Sequence, residues 1–85
     1  MKIEIYKEQD IPMFNVDGEL FAYDDYALNN LALMLIDNKY DGITGVEIKL
    51  LDEDLIGIKN VIEKLVEEIN SSDKTYEEFM KDLGE

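Results

Sequence analysis

Residues 24–40 read DDYALNNLALMLIDNKY, and the conformation of this stretch decides the fold. The longest unbroken apolar run of the chain, Leu31 to Ile36, lies inside it. Ala, Leu, Met and Asn dominate and β-branched residues are nearly absent, so the stretch reads as a helix. Asp24 supplies an N-cap, and Asp25 places a negative charge at the positive end of the helix dipole. Tyr23 and Leu28 occupy the two positions of a hydrophobic staple. Leu28, Leu31, Ala32, Leu35 and Lys39 share one face at helical spacing, while Leu33, Met34 and Ile36 lie off it. A helix apolar over so much of its circumference needs cover on more than one side. A sheet against one side and a second helix against the other are therefore expected. The run falls far short of the ~20 residues a membrane helix needs.

The flanking sequence supplies that cover. Residues 2–7, KIEIYK, alternate as a half-buried strand does, with Ile3 and Ile5 inward. Glu8-Gln9-Asp10 turns the chain, and Ile11 to Val16 follows as a second strand with Pro12 near its entrance. Asp17-Gly18 between apolar residues is a strong two-residue hairpin signal. It sets a register of Val16 opposite Glu19, Asn15 opposite Leu20, Phe14 opposite Phe21 and Met13 opposite Ala22. Beyond the central helix, Asp41-Gly42 ends it and residues 46–51, VEIKLL, alternate as a fourth strand. A second helix over residues 54–70 follows, capped by Asp52, with Leu51 and Ile56 as its staple. Its apolar stripe is Leu55, Ile58, Val61, Ile62, Leu65, Val66 and Ile69. Gly57 weakens the first turn, which leaves open a short strand over residues 55–59 before a shorter helix. Thr75 and Glu78 form a capping box for a last helix, with Tyr76, Phe79, Met80 and Leu83 as its face and Gly84 as its stop.

The expected architecture is one α+β domain over residues 1–85, in the order β-β-β-α-β-α-α. It has a small, mostly antiparallel four-stranded sheet, two longer helices and one short C-terminal helix. Leu31, Leu35, Ile58, Ile62, Leu65 and Ile69 are expected to pack together.

Composition narrows the function. The 85 residues carry 21 acids against eight lysines, a net charge of −13. That charge opposes direct binding to nucleic acid or anionic lipid and favours a basic protein partner. Histidine, arginine and cysteine are all absent. Without the usual general base, oxyanion clamp and thiol nucleophile, an enzyme is not expected. No cofactor is expected either. The N-terminus lacks the apolar core of a signal peptide, so cytoplasmic residence is the default. Lysine without arginine, with abundant Asn, Ile and Asp, points to an AT-rich microbial or phage genome.

Four constellations have the residue types of a site. Asp37 to Gly42 carries acids and a glycine at the first, fifth and sixth positions of a calcium loop. Lys39 stands where an oxygen ligand is needed, however, and Ile48 stands where the bidentate carboxylate belongs. The clusters at Asp24-Asp25 and Asp52-Glu53-Asp54 are explained by capping and the dipole. The five tyrosines suit either a core rim or an interface, and the rim is favoured. The acids on the two C-terminal helices, Glu63, Glu67, Glu68, Glu77, Glu78 and Asp82, remain as the candidate binding surface. Glu63 and Glu67 repel at i, i+4, partly offset by Lys59–Glu63 and Lys64–Glu68. Carboxylates one turn apart stand ~5.4 Å apart along the axis and can imitate a phosphate backbone.

The functional expectation is a small acidic binding protein of the inhibitor or immunity type, a monomer or small homo-oligomer. It would dock on a basic, nucleic-acid-handling protein. The alternative is a structural or regulatory homo-oligomeric subunit, acidic only for solubility. The calcium mismatch gives a direct test. Calorimetry should show no saturable calcium uptake at micromolar metal. Uptake that Asp41→Ala abolishes would establish a calcium site after all.

Overall fold

The computed structural model describes residues 1–83. Its elements are β1 (Lys2–Glu8), β2 (Ile11–Val16), β3 (Glu19–Ala22), α1 (Asp25–Tyr40), β4 (Glu47–Leu50), a 3₁₀ turn (Glu53–Leu55), α2 (Ile56–Ser71) and α3 (Tyr76–Leu83). The architecture is α+β, in the order read from the sequence. The sheet runs β3-β2-β1-β4, with two antiparallel pairs and one parallel pair, β1 with β4.

Two tight turns set the antiparallel register. Gln9 (φ 50°) and Asp10 (φ 67°) join β1 to β2, and Asp17 (φ 50°) and Gly18 (φ 99°) join β2 to β3. Positive φ at both central residues is the signature of a type I′ turn, whose twist matches that of the strands. The predicted register of the second hairpin is observed throughout. Phe14 and Phe21 stack at 5.3 Å between ring centroids. Asp17 also ties the hairpin tip to β1. Its Oδ1 accepts from the Lys2 N–H at 2.7 Å, and its own N–H donates to the Lys2 carbonyl at 3.0 Å.

The parallel pair shapes the molecule. Parallel strands cannot be joined by a tight turn and need a long crossover. Here the chain leaves the β3 edge and returns at the opposite edge. α1 makes this crossing, at 16 residues long enough to span ~24 Å at 1.5 Å per residue. The Asp24 carboxylate starts it by accepting from the Ala27 N–H at 2.7 Å. It ends in a Schellman motif. The Ile43 N–H donates to Asn38 O at 2.7 Å and the Gly42 N–H to Lys39 O at 3.0 Å, with Gly42 at φ 83°. β4 then docks on β1, the Glu47 N–H donating to Met1 O at 2.9 Å and the Leu51 N–H to Ile5 O at 2.8 Å.

The core lies between one face of the sheet and the helices. Ile3, Ile5, Phe14 and Val16 enter it from the strands, and Ala27, Leu31, Ala32, Leu35 and Ile36 from α1. Leu55, Ile62 and Ile69 complete it. Ile58 and Leu65 are half-buried against it. Ile36, placed off the buried face of α1 by periodicity, is buried. Lys39, placed on that face, is half-buried. The cause is that α1 packs on both α2 and α3 and shares one core with the inward residues of the sheet. It therefore buries two adjoining stripes rather than one.

α2 shows the opposite deviation. Val61, Leu51 and Ile56 are exposed, so the stripe is narrower than the sequence implied and the Leu51–Ile56 staple is not buried. α2 lies on the rim, and only the arc through Ile62 and Ile69 faces inward. Asp52 caps the 3₁₀ turn, its Oδ1 accepting from the Asp54 N–H at 3.0 Å, and α2 itself begins at Ile56. Gly57 is helical, so the short strand over residues 55–59 is not formed. The capping box of α3 is present, Thr75 Oγ1 accepting from the Glu78 N–H at 3.3 Å. The Leu83 side chain and Gly84, the expected stop, lie outside the described residues.

Burial orders the expected mutational costs. Leu35→Ala should destabilise by about 2–5 kcal/mol, Leu65→Ala by an amount at the low end of that range, and Val61→Ala by less than about 1 kcal/mol. Urea denaturation of the three variants checks the ranking. Equal losses at Leu35 and Val61 would contradict the placement of α2.

Candidate functional site: the acidic surface

All six candidate carboxylates are exposed, with Glu63, Glu67 and Glu68 on α2 and Glu77, Glu78 and Asp82 on α3. They are not equally free. Glu63 lies 3.8 Å from the Lys59 ammonium, and Asp82 pairs with Lys74. Glu78 closes the capping box, accepting from the Thr75 hydroxyl at 3.2 Å. Glu67, Glu68 and Glu77 join no ion pair among the described residues, and the expected Lys64–Glu68 pair is not formed. α3 packs on α1. Among the described residues, no hydrogen bond or ion pair joins the α2 acids to those of α3.

A second concentration of acids was not singled out in the sequence. The β1–β2 turn, the end of β3 and the end of β4 all lie at one end of the sheet, because β4 runs parallel to β1. Glu8, Asp10, Asp24, Asp25, Asp52, Glu53 and Asp54 therefore gather there. Lys7 answers them from within, its Nζ 3.2 Å from Asp54 Oδ2. Its pKa is raised above the ordinary lysine value, first by that hydrogen bond. Desolvation opposes that rise, and the charges of Asp52, Asp54 and Asp10 add to it. Capping had accounted for each cluster separately, and only the strand order reveals that they converge. They do not converge as ligands. Among the described residues, no group of three or more carboxylates is placed to hold a metal ion.

A cleft of about 610 Å³ lies between the C-terminal part of α1 and the start of α3, against Ile36, Lys39, Tyr40, Lys74, Tyr76 and Phe79. Its lysines have structural work. Lys39 donates to the Ile69 carbonyl at 2.7 Å and to the Ser72 carbonyl, satisfying the open C-terminus of α2. Its Nζ also lies 5.6 Å from the Phe79 ring centroid, and Lys74 Nζ lies 5.9 Å from it. Tyr40 and Tyr76 meet edge to face at 5.2 Å. Tyr76 is half-buried, as a core-rim residue is, whereas Tyr26 and Tyr40 stand out into solvent.

The chain matches no protein-family model, no curated protein and no solved structure. Among the described residues, no helix is long and apolar enough to cross a membrane.

Tyr76 provides a probe of this region. Its phenol pKa is raised above the ordinary value of 10.0, first by a hydrogen bond to the Asp37 carboxylate, then by that carboxylate's charge and by burial. A raised folded-state pKa means that the protonated phenol contributes stability below pH 10.0. That contribution is lost as pH rises through the folded-state value. Asp37→Asn should return the Tyr76 titration toward the ordinary tyrosine range and reduce this alkaline loss, leaving only the part due to burial. Ultraviolet titration of tyrosinate measures it, with Tyr76→Phe identifying the step.

Proposed function

We propose that the protein is a small non-enzymatic binding protein whose acidic surface docks on a basic groove of a protein that handles nucleic acid. One observation carries this reading. Among the described residues no charged side chain is buried, and only Asp54, Glu63 and Asp82 are engaged by lysines. Nearly all of the −13 charge is therefore left facing solvent. Such a field steers a basic partner and raises the association rate, and the resulting complex weakens as salt is added.

Glu63, Glu67 and Glu68 on α2 and Glu77, Glu78 and Asp82 on α3 form the proposed contact. Glu67, Glu68 and Glu77 lead, since neither a lysine nor a cap holds them. Carboxylates carried at successive helical turns, ~5.4 Å apart along the axis, offer a basic groove regularly spaced negative charge as a phosphate backbone does, which supports phosphate mimicry. The absence of histidine, arginine and cysteine supports a binding role over catalysis.

The triple reversal Glu63→Lys, Glu67→Lys and Glu68→Lys should leave the circular dichroism spectrum unchanged, because all three positions face solvent. The wild-type chain, used as bait in its source cell extract at low salt, should retain a basic protein that duplex DNA or RNA displaces. The triple variant should not retain it. Equal retention by the variant, or a partner that nucleic acid does not displace, would contradict the reading.

A further inference from the structure

The helices cover one face of the sheet and leave the other open. On that open face the register places Leu20 beside Asn15, and Ala22, Met13 and Tyr6 in one row. Ile11 lies beyond that row on β2, and Leu51, one residue past β4, still donates its N–H to Ile5 O. Leu20 is 60% exposed, Ile11 55% and Leu51 53%. Strand alternation aims all three away from the core.

The charge of this face differs from that of the rest of the molecule. It carries Lys2 and Lys49 against Glu4, Glu8 and Glu47, a net of −1 in a chain of −13. Four of these five groups are cross-strand neighbours of opposite sign, Lys2 beside Glu47 and Glu4 beside Lys49. Such neighbours compensate each other within the face.

We propose that this open sheet face is a self-association surface, and that a second copy of the same chain covers it. The argument is electrostatic. Two chains of −13 repel each other in most orientations. The near-neutral face is where they can approach with the least repulsion while removing apolar side chains from water. A basic partner is drawn instead to the uncompensated acids of the helices and the sheet end. Size sets the strength. Four strands ~4.8 Å apart, with about five residues each at ~3.3 Å, cover roughly 19 by 17 Å. That is smaller than a standard interface of ~800 Å² per partner, so the dimer is weak and reversible. The inference is independent of the proposed function, because it uses the opposite face and reverses the salt dependence.

Sedimentation equilibrium from about 10 μM to about 1 mM tests it. The wild-type chain should show a monomer–dimer equilibrium that strengthens between about 0.05 and 0.5 M salt, as screening removes the repulsion between copies. Leu20→Glu should raise the dissociation constant at least about tenfold. Val61→Glu, at an exposed apolar position on α2, should leave it unchanged. On dilution of the wild-type chain, amide shift changes should concentrate in the four strands and spare α2 and α3, a readout that needs no variant. A monomer across the whole range, a dimer that salt dissociates, or a dimer that Leu20→Glu leaves intact would each overturn the proposal.

Discussion

The pairing of β4 with β1 is the constraint on which the rest of the molecule depends. β1 is central in the sheet, and its Ile3 and Ile5 are fully buried. It accepts β2 antiparallel on one side, through a turn of two residues. On the other side it accepts β4 in parallel, which no short turn can deliver. The chain must therefore cross the sheet from the β3 edge to the β4 edge, and α1 is that crossing. Because it crosses the face, α1 is covered beneath by the sheet and flanked by α2 and α3. This accounts for a buried stripe that takes in Ile36 as well as Leu31, Ala32 and Leu35.

The same constraint distributes the charge. With β4 parallel to β1, α1 and α2 both begin near one end of the sheet. Helix starts favour acids, because carboxylates there cap free N–H groups and complement the dipole. Asp24, Asp25, Asp52, Glu53 and Asp54 are each locally favourable, yet together they make one negative end, with Lys7 set among them. Acids that stabilise helix starts thus also contribute to the external field that a partner meets. Apart from Glu8 at its margin, the open face of the sheet escapes this accumulation, because its lysines and glutamates alternate across β1 and β4.

Local signals in the sequence were read correctly where the physics is local. The Asp17-Gly18 turn fixed the β2–β3 register and the Phe14–Phe21 stack. Asp24 located the start of α1, and Thr75 with Glu78 located the start of α3. What depended on neighbours was not legible. Periodicity places Val61 on a buried stripe and Ile36 off one, and only the position of each helix in the assembly exposes the first and buries the second. VEIKLL could be read as a strand, but nothing in it says that it pairs in parallel with β1. The gathering of acids at the sheet end was hidden for that reason. The α2 acids were legible as an exposed face, as were the Lys59–Glu63 pair and the Thr75–Glu78 box, while the Lys74–Asp82 pair, and the lack of a Lys64–Glu68 pair among the described residues, depend on side-chain geometry.

The central claim is that the surface is divided, acidic over the helices and the sheet end and nearly neutral over the open sheet face. Paired cationic and anionic paramagnetic cosolutes, read at each backbone amide by NMR, measure the local potential directly. The account predicts a strongly negative potential at Asp25, Glu53 and Glu67, and a much weaker one at Tyr6, Met13 and Leu20. A potential of equal strength at both sets of amides would contradict it.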